Sequence, residues 1–111
     1  MKGGVSVNVK KKGNRGEIEL LNLLQSCGIS AIRNDQTFTG GQGNPDIDAC
    51  IRGKPYHIEV KRVEHLNVNE AMNQAVRDAD EQHTPVVIHR RNRSVWLVTM
   101  RLNDFLKEAE P

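Results

Sequence analysis

The apolar positions change period along the chain, and those changes mark its elements. Ile18, Leu20, Leu21, Leu24 and Cys27 recur at helical spacing and give a broad apolar stripe. Asn14 followed three residues later by Glu17 is a capping-box pattern that starts this helix, and Gly28 is placed to stop it. "ISAIRN" reads as a short strand and "DQTFTGGQGNP" as a glycine-rich loop long enough to carry function. In "DIDACI" and "YHIEVK" the period falls to two. Ile47, Ala49, Ile51, Ile58 and Val60 then share the core-facing side of a hairpin, while Asp46, Asp48, Glu59 and Lys61 gather on the other. A tight turn over Arg52 and Gly53 pairs Asp46 with Glu59; a four-residue loop ending at Pro55 pairs Asp48 with Glu59 instead. Either register holds carboxylates together across the strands.

"NVNEAMNQAVRDADEQH" returns to helical period from near Asn67 or Asn69, with a narrow stripe of Met72, Ala75, Val76 and Ala79 that suits close packing on a sheet. "PVVIHR" and "SVWLVTM" read as strands joined by the basic "RNR" turn. "RLNDFLKEAE" closes the chain as a helix with Leu102, Phe105 and Leu106 expected inward. The order α-β-β-β-α-β-β-α predicts an α/β fold, a mixed central sheet flanked by helices. Residues 1–13, rich in glycine and lysine, are expected to form a flexible basic arm ahead of a single domain over 14–111.

Composition narrows the classes. A chain of 111 residues suits one core, and 37% hydrophobic with 27% charged residues is ordinary for a globular domain. No apolar run approaches the ~20 residues of a membrane span, and no apolar segment of signal-peptide type opens the chain. Cys27 and Cys50 make no metal-type spacing with each other or with the four histidines, and are expected as reduced core residues of a cytosolic protein. The net charge of +2 does not by itself mark a nucleic-acid binder. Its distribution says more. Lys10, Lys11, Lys12 and Arg15 cluster before the first helix, and Arg90, Arg91 and Arg93 cluster in "HRRNRS". A solvated face is the plainer reading of each run, yet both can meet phosphates if the fold brings them to one side.

Carboxylates directly opposite one another on a sheet repel, so the hairpin acids call for a cation. A hard divalent ion such as Mg²⁺ takes one or two carboxylates, several waters and substrate phosphate oxygens. Such an ion polarises a phosphate and acidifies a bound water, and Lys61, on the same face, can stabilise charge that develops on the phosphate. No serine, cysteine or histidine arrangement suggests covalent catalysis. Glu-Val-Lys alone is usually a solvated strand; Pro-Asp thirteen positions before the glutamate, at matching parity and behind a glycine-rich loop, makes the combination more specific.

"PD" at 45–46 followed by "EVK" at 59–61 resembles the PD-(D/E)xK nuclease motif. The element order is similar to that superfamily's restriction-endonuclease-like α-β-β-β-α-β core. The opening "KKGNRGEIELLNLLQSCGISAIRN" and the closing "PVVIHRRNRSVWLVTMRLNDFL" resemble the archaeal-type Holliday-junction resolvases and their phage relatives, over roughly residues 10 to 107. The resemblance implies a metal-dependent DNA endonuclease, often a homodimer, that makes paired incisions at branched DNA. It implies Asp46 and Glu59 as metal-binding acids, the Val60 backbone carbonyl as a further ligand, and Lys61 as the motif lysine. Mg²⁺ is the implied cofactor, with Mn²⁺ as a substitute. Glu17 matches an additional acid near the metal, beside its capping role with Asn14; Gln74 matches a glutamine on the helix after the motif. Asp48 is a second-metal ligand or a solvated partner of His57. The resolvases carry a polar donor in the loop before the first acid, and here Thr37 and Thr39 both offer one. Arg62 and the two basic clusters complete the expected DNA-binding set.

Two other readings stand beside a four-way-junction resolvase. The same chemistry serves a nicking, flap or restriction-like nuclease, since junction shape is read by the spacing of two active sites rather than by a local motif. A DNA-binding module that retains only the fold is the non-enzymatic alternative, but carboxylates facing phosphates gain nothing for binding alone. A bacterial or phage-infected cytoplasm is the expected location.

Overall fold

The computed structural model describes residues 15–34 and 45–110. The expected N-terminal arm with Lys10, Lys11 and Lys12, the Asn14 cap, and the loop bearing Thr37 and Thr39 lie outside the described residues.

The first helix, α1, is helical over 15–26. Ile29 N–H donates to the Leu24 carbonyl and Gly28 N–H to the Gln25 carbonyl, the crossed pair of a Schellman motif. Gly28 occupies its left-handed position at φ +82°. Among the described residues five strands follow in one sheet whose spatial order is the order of the chain: β1 Ser30–Arg33, β2 Ile47–Ile51, β3 Lys54–Arg62, β4 Thr84–Arg90 and β5 Leu97–Met100. Only β3 and β4 run parallel, as a crossover through a helix requires; the other pairs are antiparallel. The crossover helix, α2, spans Val68–Asp78, and a short helix, α3, spans Leu102–Glu108. Asn67 caps α2 by accepting from Glu70 N–H at 3.1 Å.

The α1 side of the sheet holds the larger core: Leu20, Leu24, Ala31, Ile47, Ala49, Tyr56, Ile58, Val60, Val86 and Ile88. The opposite side is not solvated, as simple alternation would have it. There α2 lays Ala71 and Ala75 against Val87, with Met72 and Leu66 packed around them. Alanines at i and i+4 let the helix lie close to the sheet, so β3 is buried on both faces over Tyr56 to Val60.

Several expectations are corrected. Cys27 and Cys50 are free and exposed: Cys27 follows the last turn of α1, and Cys50 lies near the hairpin turn on the α2 side, away from the larger core. Leu102, Phe105 and Leu106 do not turn inward but stay more than half exposed, because α3 is only seven residues long and buries none of them. The expected strand from Ser94 begins only at Leu97, after a turn in which Arg93 takes φ +62°.

Nothing lies within 4 Å of a Cβ built on Gly28, so Gly28→Ala isolates backbone strain. It is expected to lower the unfolding free energy by about 1 kcal/mol, read as a lower urea midpoint with an unchanged m-value.

Candidate active site

The turn between β2 and β3 is the tight one. Arg52 and Gly53 both have positive φ, +54° and +80°, and Ile51 pairs with Lys54. The same register runs on to Ile47 opposite Ile58, where the regular ladder ends. Strand β3 continues past the start of β2 and overhangs it. Asp46 reaches across this overhang: its N–H donates to the Ile58 carbonyl at 3.0 Å, and its Oδ2 accepts from Val60 N–H at 2.8 Å. A strand residue directs its N–H and C=O to the same edge, so the Val60 carbonyl also faces the Asp46 side.

Glu59 is 3% exposed and His57 2%, both on the α2 face. His57 Nε2 lies 2.9 Å from Glu59 Oε2, so this acid is held in place by a histidine two residues earlier on its own strand. Lys61, next on that face, donates to Gln74 Oε1 of α2 at 3.5 Å. Glu17 of α1 accepts from Arg33 Nε of β1 at 2.8 Å and is close enough for its charge to act on Asp46. The fold thus draws Glu17, Asp46, Glu59, Lys61 and Gln74 from four elements or their flanks to one end of the sheet.

Charge repulsion is built into this arrangement. Burial first, then the Glu59 carboxylate, push the Asp46 carboxyl up to about 7; Glu17 adds to the rise, while the Val60 N–H and Lys61 oppose it. A divalent cation reverses that penalty by favouring the ionised pair. Among the described residues no three His, Cys, Asp or Glu side chains form a ready metal cluster. Two carboxylates with a backbone carbonyl and water are nonetheless an all-oxygen set suited to Mg²⁺, which keeps much of its hydration.

The other expected residues separate. Arg90 Nη1 donates to Glu19 Oε2 at 2.7 Å, and its guanidinium lies 5.7 Å from the Trp96 ring centroid. Arg62 Nε lies 3.0 Å from Glu19 Oε1 without hydrogen-bond alignment. Both arginines therefore face α1, on the side of the sheet opposite Glu59, and tie the helix to β3 and β4. Arg15, Arg91 and Arg93 are exposed. Asp48 does not serve His57: its Oδ1 lies 3.6 Å from His83 Nε2, while His57 turns to Glu59. His57 and Arg33 are thus the supporting residues that sequence reasoning missed. The parity of His57 with Glu59 is a visible signal, but Asp48 stands directly opposite His57 and competes with it in the sequence.

The raised Asp46 group has a definite consequence in metal-free protein. Between its ordinary value near 3.8 and about 7, the folded state holds a proton that the unfolded state has lost. Stability should therefore fall as pH rises through this window, by about 1.4 kcal/mol for each unit of displacement. Urea titrations in EDTA at pH 5 and 8 should show the loss, and Asp46→Asn should flatten it. Equal stability of the wild type at both pH values would show that Asp46 is not perturbed in this way.

The chain matches, over residues 8–110, the family model described as "Phage putative PDDEXK endonuclease". No curated protein matches it. Among solved structures it is similar to Archaeoglobus fulgidus Hjc, described as a Holliday junction resolvase from an archaeal hyperthermophile. The identity is 27% with a TM-score of 0.65, covering 79% of this chain and 76% of that one. The mixed sheet and its flanking helices are the restriction-endonuclease-like fold of that neighbour. With Pro45-Asp46 and Glu59-Val60-Lys61 at the overhanging end of the sheet, the chain belongs to the phage PD-(D/E)xK endonuclease family.

Proposed function

We propose that this chain is a divalent-metal-dependent, structure-selective DNA endonuclease, a four-way-junction resolvase of phage or mobile-element type that acts as a homodimer. The observation that carries the proposal is the juxtaposition of Asp46 with Glu59 and Lys61, where burial and then the Glu59 charge raise Asp46 and give a divalent cation its purpose. Similarity to a protein described as a Holliday junction resolvase supports the branched substrate. Among the described residues no helix is long and apolar enough to cross a membrane. A DNA substrate of this kind fits a bacterial or phage-infected cytoplasm.

Asp46, Glu59 and the Val60 carbonyl would hold the ion, Mg²⁺ with Mn²⁺ as substitute. When bound, it supplies Lewis-acid polarisation of the scissile phosphate and lowers the pKa of a water. His57 keeps the Glu59 carboxylate from rotating away. Lys61 stabilises negative charge gathering on the phosphate, restrained by its contact with Gln74. Glu17, oriented by Arg33, adds a further acid at the margin of the site. Exposed Arg15, Arg91 and Arg93, together with the N-terminal lysines and the threonines of the glycine-rich loop, are the candidates for phosphate contacts.

A labelled four-way junction, a matched linear duplex and a single strand, each with Mg²⁺ or EDTA, test the reading. Symmetric Mg²⁺-dependent cuts in the junction alone are expected. Glu59→Ala and Lys61→Ala should each reduce the rate by at least about 100-fold, with junction affinity little changed. Cleavage of all three substrates would keep the nuclease and remove junction selectivity. DNA binding with no cleavage of any substrate would favour the binding module.

The basic residues are separable by salt dependence. Neutralising Arg91 and Arg93 should weaken junction binding and lower the slope of log K against log salt by about one for each lost phosphate contact. Arg90→Ala should act mainly through stability, because its guanidinium is engaged with Glu19 and Trp96.

A further inference from the structure

The flank of α2 beside the candidate active site carries a polar groove that the cleavage chemistry does not use. Its cavity, about 550 Å³, opens at Lys61 and runs along the helix. Ala71 and Ala75 press α2 onto the sheet, while Val68 and Val76 line other hollows. Glu70, Asn73, Gln74 and Arg77, at helical spacing, line this one. Gln74 is engaged with Lys61. Among the described residues, the side chains of Glu70 and Asn73 have no hydrogen-bond partner. Arg77 approaches Asp78 at 3.6 Å, with its side chain 64% exposed.

This mixture of groups selects its ligand. Arg77 suits a phosphate, but the Glu70 carboxylate would repel an anion lying along the whole groove. A metal ion does not fit either, since among the described residues no three His, Cys, Asp or Glu side chains come together to hold one. A nucleobase meets both requirements. Its edge offers an N–H donor to a carboxylate and an acceptor to an amide. Val63, 42% exposed, and Leu66 give its ring an apolar face to lie against. Glu70 and Asn73, three residues apart on one helix, have Cβ atoms roughly 5–6 Å apart, a span that one base edge can bridge. Arg77 lies one turn further on, about 6 Å along the axis from Asn73.

We propose that this groove is a nucleobase subsite. It takes an unpaired base at the branch point, next to the scissile phosphate. The exocyclic amino group of the base donates to Glu70, a ring or carbonyl acceptor takes the Asn73 amide N–H, and Arg77 holds the following phosphate of the same strand. The proposal rests on the junction-nuclease reading for the DNA that enters the groove, and it adds base selectivity to the reading of junction shape. Thymine, which has no exocyclic amino group, is the base that the groove rejects.

Junctions randomised around the branch point, selected by binding to full-length protein in EDTA and then sequenced, test the subsite without cleavage. Wild type should retain junctions depleted of thymine at one position by about five-fold or more, the low end of what one good base contact discriminates. Glu70→Gln and Asn73→Ala should each erase the depletion, with circular dichroism unchanged because both residues are exposed. Arg77→Ala should keep the depletion but weaken binding of every sequence and lower the salt slope by about one. Asn69→Ala, at an exposed position of α2 outside the groove, should select as wild type does. A flat base composition in the bound junctions, a depletion that survives both variants, or failure to bind any junction would overturn the proposal. A depletion erased by both variants in a protein that cuts no junction in Mg²⁺ would keep the subsite and sink the nuclease reading. Mg²⁺-dependent cutting with a flat bound composition would do the reverse.

Discussion

The candidate site depends on the register of β2 against β3, and a two-residue turn sets that register. Arg52 and Gly53 both take left-handed backbone conformations, the geometry that matches the natural twist of paired strands. An arginine is not at ease there, yet the turn is held by the ladder it starts. Pairing Ile51 with Lys54 carries Ile47 opposite Ile58, and so brings Asp46, just beyond, against Ile58 and Val60 at the overhanging end of β3. A slip of one residue would turn the β2 side chains to the wrong faces, sending Ile47 and Ala49 out of the larger core. Core packing and site assembly therefore select the same register, and neither can shift without the other.

Burial of both faces of β3 gives the site its electrostatic character. With α1 on one side and α2 on the other, Glu59 sits where water cannot shield it, and Asp46 feels that charge at short range. The small side chains of Ala71 and Ala75 are what allow α2 to come so close. His57 is the compensation: a buried carboxylate with no partner would be strongly destabilising, and the imidazole at 2.9 Å supplies one while leaving Asp46 to be balanced by a cation. The same strand thus carries an acid and the group that orients it, two residues apart on one face.

Basic residues close in sequence divide between two jobs. Arg90 and Arg62 lie on the α1 face and engage Glu19, so they brace the helix that also carries Glu17. Arg91 and Arg93, at the turn beyond β4, remain exposed. A run of positive charge was legible in the chain, but its partition was not. Strand parity sends Arg90 to one face and releases its neighbours at the turn, and only the position of Glu19 on a distant helix decides what Arg90 meets.

The sequence by itself determined the order of elements, the alternation of the hairpin, the stop of α1 at Gly28 and a start of α2 near Asn67 or Asn69, and it singled out Asp46, Glu59 and Lys61 as candidates. These follow from local periodicity and from turn and cap chemistry, which act over a few residues. Tertiary structure alone chose between the two hairpin registers and buried the face that alternation had left polar. It turned His57 toward Glu59 rather than Asp48, and it left Leu102, Phe105 and Leu106 outside the core. Each of these outcomes depends on which element lies across from which. An amphipathic pattern states that a side must be covered, but not by what.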